Sequence, residues 1–301
     1  MLDIIIVGAG PAGLTAAIYA RRALKNVLVL ESMTYGGQII NSLDIENYPA
    51  APHITGVDFA NQIYNQAKEL GADISFEKAE EIKDLGEYKE VITNKNTYQA
   101  KAVILATGAS CRKLGVEREE EMIGKGISYC ATCDGNFFKG KDVAVVGGGN
   151  TALEDALYLS NLVNKVYLIH RRDEFRGESS KVEQLKKKEN VEMLYFHKVV
   201  SLVGENVLEE IVLEDKEGNR KNIPVSGLFI AIGRTPENDS YQELISLDEL
   251  GYVLAEENCH TNIPGIFVAG DNRQKELRQL VTATSDGAIA ANEAIHFLNQ
   301  K

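Results

Sequence analysis

The chain is short of positive charge. Lys and Arg number 32 against 44 Asp and Glu, a net charge of −12 and a pI near 5.0. That balance excludes a nucleic-acid grip, which needs a basic surface. An acidic surface keeps a chain soluble and favours neutral or locally basic partners. Cysteine is also scarce, with four in 301 residues, at positions 111, 130, 133 and 259. That is too few for the disulfide framework of a small secreted domain. No apolar run approaches the roughly 18 residues that span a bilayer. The N-terminus enters a buried-strand pattern at Leu2 without a basic start or a cleavage site, so neither a signal nor a transit peptide is expected. Low-complexity segments are absent, and the charged runs 117–121 and 186–188 read as solvated helix faces. These absences together predict a cytoplasmic protein. Hydrophobic content of 44% and charged content of 25% are ordinary for a globular chain. At about 150 residues per domain, the length predicts two domains.

The apolar run Ile4-Ile-Ile-Val7 predicts a central parallel strand. The glycine run Gly8-Ala-Gly-Pro-Ala-Gly13 follows at once, then a helix from Leu14 to Ala23, then a strand from Val27 to Leu30 closed by Glu31. Strand, tight turn, helix and strand, with an acidic residue about twenty positions on, form a dinucleotide-binding pattern. The expected contacts are Gly8, Gly10, Pro11, Ala12 and Gly13, with the pyrophosphate on the free N–H groups after Gly10. Glu31 can accept hydrogen bonds from both ribose hydroxyls, which favours an adenosine with a free 2′-hydroxyl, as in FAD or NAD.

The unit recurs at 142–172, as strand 142–146, turn Gly147-x-Gly149-x-x-Ala152, helix 153–162 and strand 165–169. Its expected contacts are Gly147, Gly149, Asn150 and Thr151. Here the acidic residue is replaced by His170-Arg-Arg-Asp-Glu-Phe-Arg176. Arg171 and Arg172 would clamp a 2′-phosphate that a carboxylate would repel, so this site is expected to prefer NADPH to NADH. The alternative is that they form surface salt bridges with Asp173 or Glu174. His170 is expected near the nicotinamide nucleotide by position. The strands 103–108 and 228–233 both end in Ala-x-Gly, a further sign of duplication, and Thr107 and Gly108 are counted among the cofactor contacts. The strand 265–271 and the helix 282–298 need a sheet to join, and the first module is the natural host. The expected architecture is therefore α/β, with two Rossmann-like, three-layer nucleotide-binding domains. Residues 113–243 are inserted between 1–112 and 244–301.

Cys130 and Cys133 stand two residues apart, in Tyr129-Cys-Ala-Thr-Cys-Asp134. Such a pair can close into a small ring and store two electrons. Asp134 beside it can carry the proton that a leaving thiolate needs. Being negative, it would not itself lower a thiol pKa. The alternatives are an inert buried pair, or half of a zinc cage completed by Cys111 and Cys259. Neither of those has a second close cysteine, no histidine has ligand spacing, and no metal is expected. Two nucleotide loops and a dithiol predict an electron relay from nicotinamide to flavin to disulfide to an external acceptor.

Taken with Gly36-Gly-Gln38 and Gly270-Asp271, these motifs cover essentially the whole chain. The set resembles the bacterial-type, low-molecular-weight thioredoxin reductases, class II of the pyridine nucleotide-disulfide oxidoreductases. The resemblance implies FAD in the discontinuous domain, NADPH in the inserted one, thioredoxin as substrate and a homodimer. It implies that Gly36, Gly37, Gln38 and Asn47 lie along the FAD, that Asp271 after Gly270 binds its ribityl chain, and that Arg278 and Gln279 sit near the flavin ring. Cys133 would face the flavin, Cys130 would attack thioredoxin, and Asp134 would donate the proton. Arg171, Arg172 and Arg176 would grip the 2′-phosphate. One domain would rotate against the other, with hinges expected near 110–117 and 240–248. A flavin dithiol oxidase, a reductase of another thioredoxin-like small redox protein, and a redox sensor are the competing functions.

Overall fold

The computed structural model describes residues 1–42 and 44–300. The chain forms two units, Met1–Ser110 with Thr235–Lys301, and Cys111–Arg234. In chain order the first stretch builds β1 (Leu2–Val7), α1 (Pro11–Arg22), β2 (Val27–Glu31), α2 (Gly56–Glu69), β3 (Asp73–Phe76), β4 (Ala79–Asp84), β5 (Lys89–Thr93), β6 (Thr97–Leu105) and β7 (Ala109–Cys111). The middle stretch builds β8 (Ile127–Ser128), α3 (Ala131–Asp134), β9 (Asp142–Gly147), α4 (Asn150–Leu159), β10 (Lys165–His170), α5 (Ser179–Lys186), β11 (Val191–Tyr195), β12 (Lys198–Val203), β13 (Glu210–Glu214), β14 (Arg220–Pro224) and β15 (Gly227–Ala231). The last adds β16 (Arg234–Pro236), β17 (Ile266–Val268) and α6 (Leu280–Asn299).

In the first unit β3, β2, β1, β6 and β17 run parallel, and β6 continues antiparallel through β5 to β4. Successive residues of β1 point to opposite faces of the sheet, as the strand period requires. Ile4 and Ile6 pack against α1 and α6, whereas Ile5 and Val7 pack with Ile82 and Val91 of β4 and β5. Both faces are therefore apolar, which explains the unbroken hydrophobic run. The second unit repeats the plan with a parallel sheet ordered β11-β10-β9-β15-β8 and a separate antiparallel ribbon β12-β13-β14. Val143 and Val145 of β9 face α4 and Leu185 of α5, while Ala144 and Val146 face Ile211, Leu213 and Ile223 of the ribbon. The fold is α/β and Rossmann-like in both units. Among the described residues no helix is long and apolar enough to cross a membrane.

The chain crosses between the units at 110/111 and again at 234/235. The second crossing comes earlier than the expected boundary at 243/244 and the expected hinge at 240–248. The reason is packing within the first unit. Asn238 donates to the carbonyls of Gly251 (2.9 Å) and Asn272 (2.8 Å), and Tyr241 and Ile245 are buried in that unit's core. A turn segment whose side chains are committed to one core cannot serve as the connection.

Glu77, between β3 and β4, is a buried carboxylate. Burial alone would raise its pKa. Thr93 (2.6 Å), Ser75 (2.8 Å), Tyr98 (2.8 Å) and Asn96 (3.0 Å) all donate to it, and they hold the carboxyl down to about 2, against an ordinary 4.5. A carboxylate depressed in the folded state contributes stability that is present above its unfolded pKa. That contribution is lost as pH falls through the folded value. Urea unfolding should show Glu77→Gln less stable than the parent by about 2 kcal/mol at neutral pH. The difference should shrink between pH 4.5 and pH 2; a constant difference would refute this assignment.

Candidate functional site

In the first unit the turn from β1 into α1 is closed by contact. A Cβ on Gly8 would stand 2.3 Å from the carbonyl oxygen of Ala106, and one on Gly13 would stand 1.9 Å from that of Gly8. Gly10 caps α1 and Pro11 opens it, so the first N–H groups of the helix are left without intrahelical partners. Apart from its chain neighbours and its own helix, the one atom of the described residues within 4 Å of a Cβ added at Gly10 would be the Cα of Gly37, at 4.0 Å. The cradle is sterically empty, as a bound phosphate requires.

Glu31 is fixed by the loop it serves. Its Oε2 accepts from Ala9 N (2.9 Å) and its Oε1 from Met33 N (2.9 Å) and Ser32 Oγ (3.3 Å), so Oε2 keeps a further lone pair. Gly36 joins the same loop, donating its N–H to Ala9 O at 2.8 Å. Gly36 and Gly37 both have positive φ, +100° and +59°, and turn the chain into a short helical stretch in which Gln38 is exposed. Asn47 and Gln279 lie far apart in sequence but are joined by a 3.1 Å hydrogen bond. Gln279 also caps α6, in a reciprocal pair with Thr282. Thr107 accepts from Asn272 Nδ2 at 2.9 Å, and Gly108 takes φ +73°. Arg278 lies over the ring of Tyr252 at 4.1 Å and donates to the carbonyl of Asp271.

The strand-to-turn position of Gly270–Asp271 rests on charges the sequence reading missed. Gly270 donates its N–H to Asp286 Oδ2 at 3.0 Å. The Asp286 carboxylate also accepts from Arg273 Nε (2.8 Å), Arg273 Nη2 (2.9 Å) and Lys275 Nζ (2.8 Å). All three side chains are buried. Burial opposes the charge on Asp286, but the two cations outweigh it and hold the carboxyl below its ordinary value. An ionisable residue set in the small, apolar run 283–291 was the available signal. Cys259, beside this cluster, has its thiol pushed up to about 12 by burial, which makes it an inert core residue.

The second unit repeats the turn. A Cβ on Gly147 would stand 2.3 Å from Ala231 O, the counterpart of the Gly8 contact, and, chain neighbours aside, no atom of the described residues lies within 4 Å of one on Gly149. Gly149 caps α4, which begins with Asn150 and Thr151. Asn150 Oδ1 accepts from Glu178 N (2.8 Å), and Gly148 O accepts from Arg176 N (2.7 Å), so the loop 171–178 is held over the glycine turn. The His170 ring occupies the space a Cβ on Gly148 would need, and it stacks on Phe175 at 5.2 Å. Burial holds His170 below its ordinary pKa, and its Nε2 is buried without a hydrogen-bond partner. Because Ile169 is in register with Val146, Arg171 and Arg172 emerge at the sheet edge level with the turn. Arg171, Arg172 and Arg176 are exposed, and none is ion-paired to Asp173, Glu174 or any other described acid.

Cys130 and Cys133 are joined in a disulfide, S–S 2.07 Å, with Cys130 at the N-cap of α3. Cys111 is half-buried and lies outside the disulfide, and Cys259 is sealed in the first unit's core. Asp134 closes α3, and Ser128 donates to its Oδ2 at 2.6 Å. Burial raises the Asp134 carboxyl, and the Ser128 hydrogen bond offsets that only in part. Glu119, a second residue missed from sequence, is buried. It accepts from Leu114 N (2.9 Å), Gly115 N (2.8 Å) and Tyr129 OH (2.9 Å), tying the start of this unit to the residue before Cys130. The run 117–121 is thus not a uniformly solvated face: Glu119 turns inward.

Asp286→Asn would leave Arg273 and Lys275 buried without a counter-charge. The expected cost is about 3–5 kcal/mol in urea unfolding at neutral pH. The parent's advantage should diminish as pH falls below 3.8, where the carboxylate starts to protonate. Parent-like stability would rule out a structural role for the cluster.

Comparison with known proteins agrees with this geometry. The pyridine nucleotide-disulphide oxidoreductase family model matches residues 2–287. A thioredoxin reductase of Listeria innocua is 41% identical over 300 residues, covering 99% of this chain and 94% of the relative. One of Bacillus subtilis is also 41% identical over 300 residues, covering 99% of this chain and 95% of the relative. The crystal structure of thioredoxin reductase from Streptococcus pyogenes superposes with a TM-score of 0.96 at 39% identity, covering 100% of this chain and 99% of that one. With two glycine turns of matched geometry and a disulfide beside an acid, the chain belongs to the pyridine nucleotide-disulphide oxidoreductase family, among its thioredoxin reductases.

Proposed function

We propose that the chain is a flavoenzyme that reduces the disulfide of thioredoxin with electrons from NADPH. The observation that carries the reading is the Cys130–Cys133 disulfide, set next to Asp134 in the unit that also holds the second glycine turn. The first unit, with Gly8, Gly10, Pro11, Ala12, Gly13, Glu31, Gly36, Gly37, Gln38, Asn47, Thr107, Gly108, Gly270, Asp271, Arg278 and Gln279, is assigned to FAD. The open helix N-terminus and the loop-fixed Glu31 fit an adenine dinucleotide with a free 2′-hydroxyl. The second unit, with Gly147, Gly149, Asn150, Thr151, His170, Arg171, Arg172 and Arg176, is assigned to NADPH. Three exposed guanidiniums without carboxylate partners support a 2′-phosphate. They also count against a dithiol oxidase, which has no use for them. A homodimer in the cytoplasm completes the reading and rests on the resemblance.

When bound, FAD supplies two-electron transfer from the nicotinamide to the disulfide. The residues of this chain carry out the exchange that follows. Cys130, as thiolate, attacks one sulfur of the substrate disulfide. A mixed disulfide forms as the substrate S–S bond breaks, and the leaving thiolate takes a proton from Asp134. Cys133, as thiolate, then attacks the Cys130 sulfur, releases the second substrate thiolate and restores the Cys130–Cys133 bond. The enzyme dithiol is oxidised and the substrate disulfide reduced by the same electron pair. The protonation of Asp134 that burial favours is the state that this step requires.

Anaerobic titration of the flavoprotein with NADPH should bleach the flavin in Cys130→Ser and Cys133→Ser alike, while thioredoxin reduction disappears in both. Turnover of thioredoxin by either variant would overturn the dithiol route. Arg171→Ala with Arg172→Ala should reduce the preference for NADPH over NADH in kcat/KM by about tenfold per arginine. An unchanged preference would remove the phosphate assignment.

A further inference from the structure

The disulfide and its acid are joined by a side chain that no part of the exchange just described uses. Ser128, the last residue of β8, is buried, 4% exposed. Its Oγ lies 2.6 Å from Asp134 Oδ2, 3.0 Å from Cys130 N and 3.3 Å from Cys130 O. A hydroxyl has one proton and two lone pairs. The Cys130 N–H occupies one lone pair permanently, because an amide can only donate. The single proton then has two possible acceptors. When Asp134 is ionised, the short contact to Oδ2 takes the proton, since a hydrogen bond to a charged oxygen is the stronger one. When Asp134 is protonated, its own O–H can donate to the second lone pair of Ser128. The serine proton then turns to Cys130 O.

We propose that Ser128 is a two-position hydroxyl relay: a positioning residue that sets the proton affinity of Asp134 and couples its ionisation to the backbone of Cys130. This rests on the reading of Asp134 as the acid of the dithiol exchange. Proton bookkeeping is closed within the three groups. Asp134 loses a proton to the leaving thiolate, Ser128 rotates its own proton from Cys130 O towards the new carboxylate, and Ser128 neither gains nor loses one.

Among the described residues no other side chain is hydrogen-bonded to the Asp134 carboxyl. Asp134 is governed by burial, which raises it, and by Ser128, which lowers it, with no charged side chain contributing. From α4 the side chains that approach Gly135, the residue after Asp134, are Tyr158 and Leu159. From β15 the neighbour of Ser128 is Phe229. The hydroxyl of Tyr129 is committed to Glu119. In the oxidised enzyme both sulfurs are tied up in the disulfide.

The test uses the oxidised holoenzyme labelled with ¹³C at the aspartate carboxyls, with the Asp134 signal identified by its loss in Asp134→Asn. Ser128→Ala should raise the titration midpoint of Asp134 by about one pH unit, the equivalent of one lost hydrogen bond to a carboxylate. Ser128→Thr, which keeps the hydroxyl, should restore the parent midpoint. Ser128→Gly gives the same contrast should the alanine variant fold poorly. The alkaline limb of kcat/KM with thioredoxin should move up with the midpoint, because the acid stays protonated to higher pH. An unmoved or lowered midpoint in Ser128→Ala, or an equal shift in Ser128→Thr, overturns the relay. A raised midpoint with an unmoved limb supports the relay and instead removes Asp134 as the acid of the exchange.

Discussion

A steric constraint underlies the whole molecule. The strand that opens each nucleotide-type unit must turn into its helix so close to the neighbouring strand that no side chain fits between them. At Gly8 and at Gly147 the obstruction is the carbonyl oxygen alongside, at 2.3 Å from an added Cβ in both. That closeness brings the helix N-terminus to the carboxyl edge of the sheet with its N–H groups bare. It also forces small residues onto the far side of the first helix. Ala12, Ala16 and Ala17 meet α6, where a Cβ on Gly287 would stand 2.2 Å from Ala12 O. The alanine-rich composition of both helices is therefore a consequence of the turn and not an independent feature.

The second organising principle is that three carboxylates drawn out of solvent are met by fixed donors. Glu31 is held by the loop it faces, Glu119 by two backbone amides and a tyrosine, and Asp286 by an arginine and a lysine. Each pins a loop that has no regular structure of its own. A carboxylate held by backbone N–H groups cannot move without stranding them, and an unpaired buried polar group is costly. Asp134 differs from these three. It is half-buried with a single hydroxyl donor, and that poverty of partners lets burial raise its carboxyl, whereas Glu77, with four donors, is held down.

Much of the fold was legible because it is local and periodic. The glycine turns, the β-branched strands that follow the two-residue period on both faces, and the long C-terminal helix all follow from short segments. The expected helices start a few residues late in the sequence reading, 14 for 11 and 153 for 150, because a glycine turn gives the helix no side chain with which to announce its first residue. The dithiol was equally legible, since its two cysteines and its acid lie within five residues. What escaped were partnerships across the chain. Asn238 falls inside the expected insert yet is bound to the first unit, Glu119 looked like part of a solvated run, and Asp286 sat unnoticed in a helix of small residues.

The sequence by itself determined the chemistry on offer: two anion-ready turns, a carboxylate after one and guanidiniums after the other, and a pair of thiols that can close on each other. Each of these needs only neighbouring residues, whose relative positions the peptide bond already restricts. The tertiary structure alone decided which charges are free and which are spent. It left Arg171, Arg172 and Arg176 without carboxylate partners among the described residues while committing Arg273 to Asp286. It also put the hydroxyl of Ser128 against Asp134. Burial and partner choice depend on what the rest of the chain brings alongside, and no local pattern carries that information.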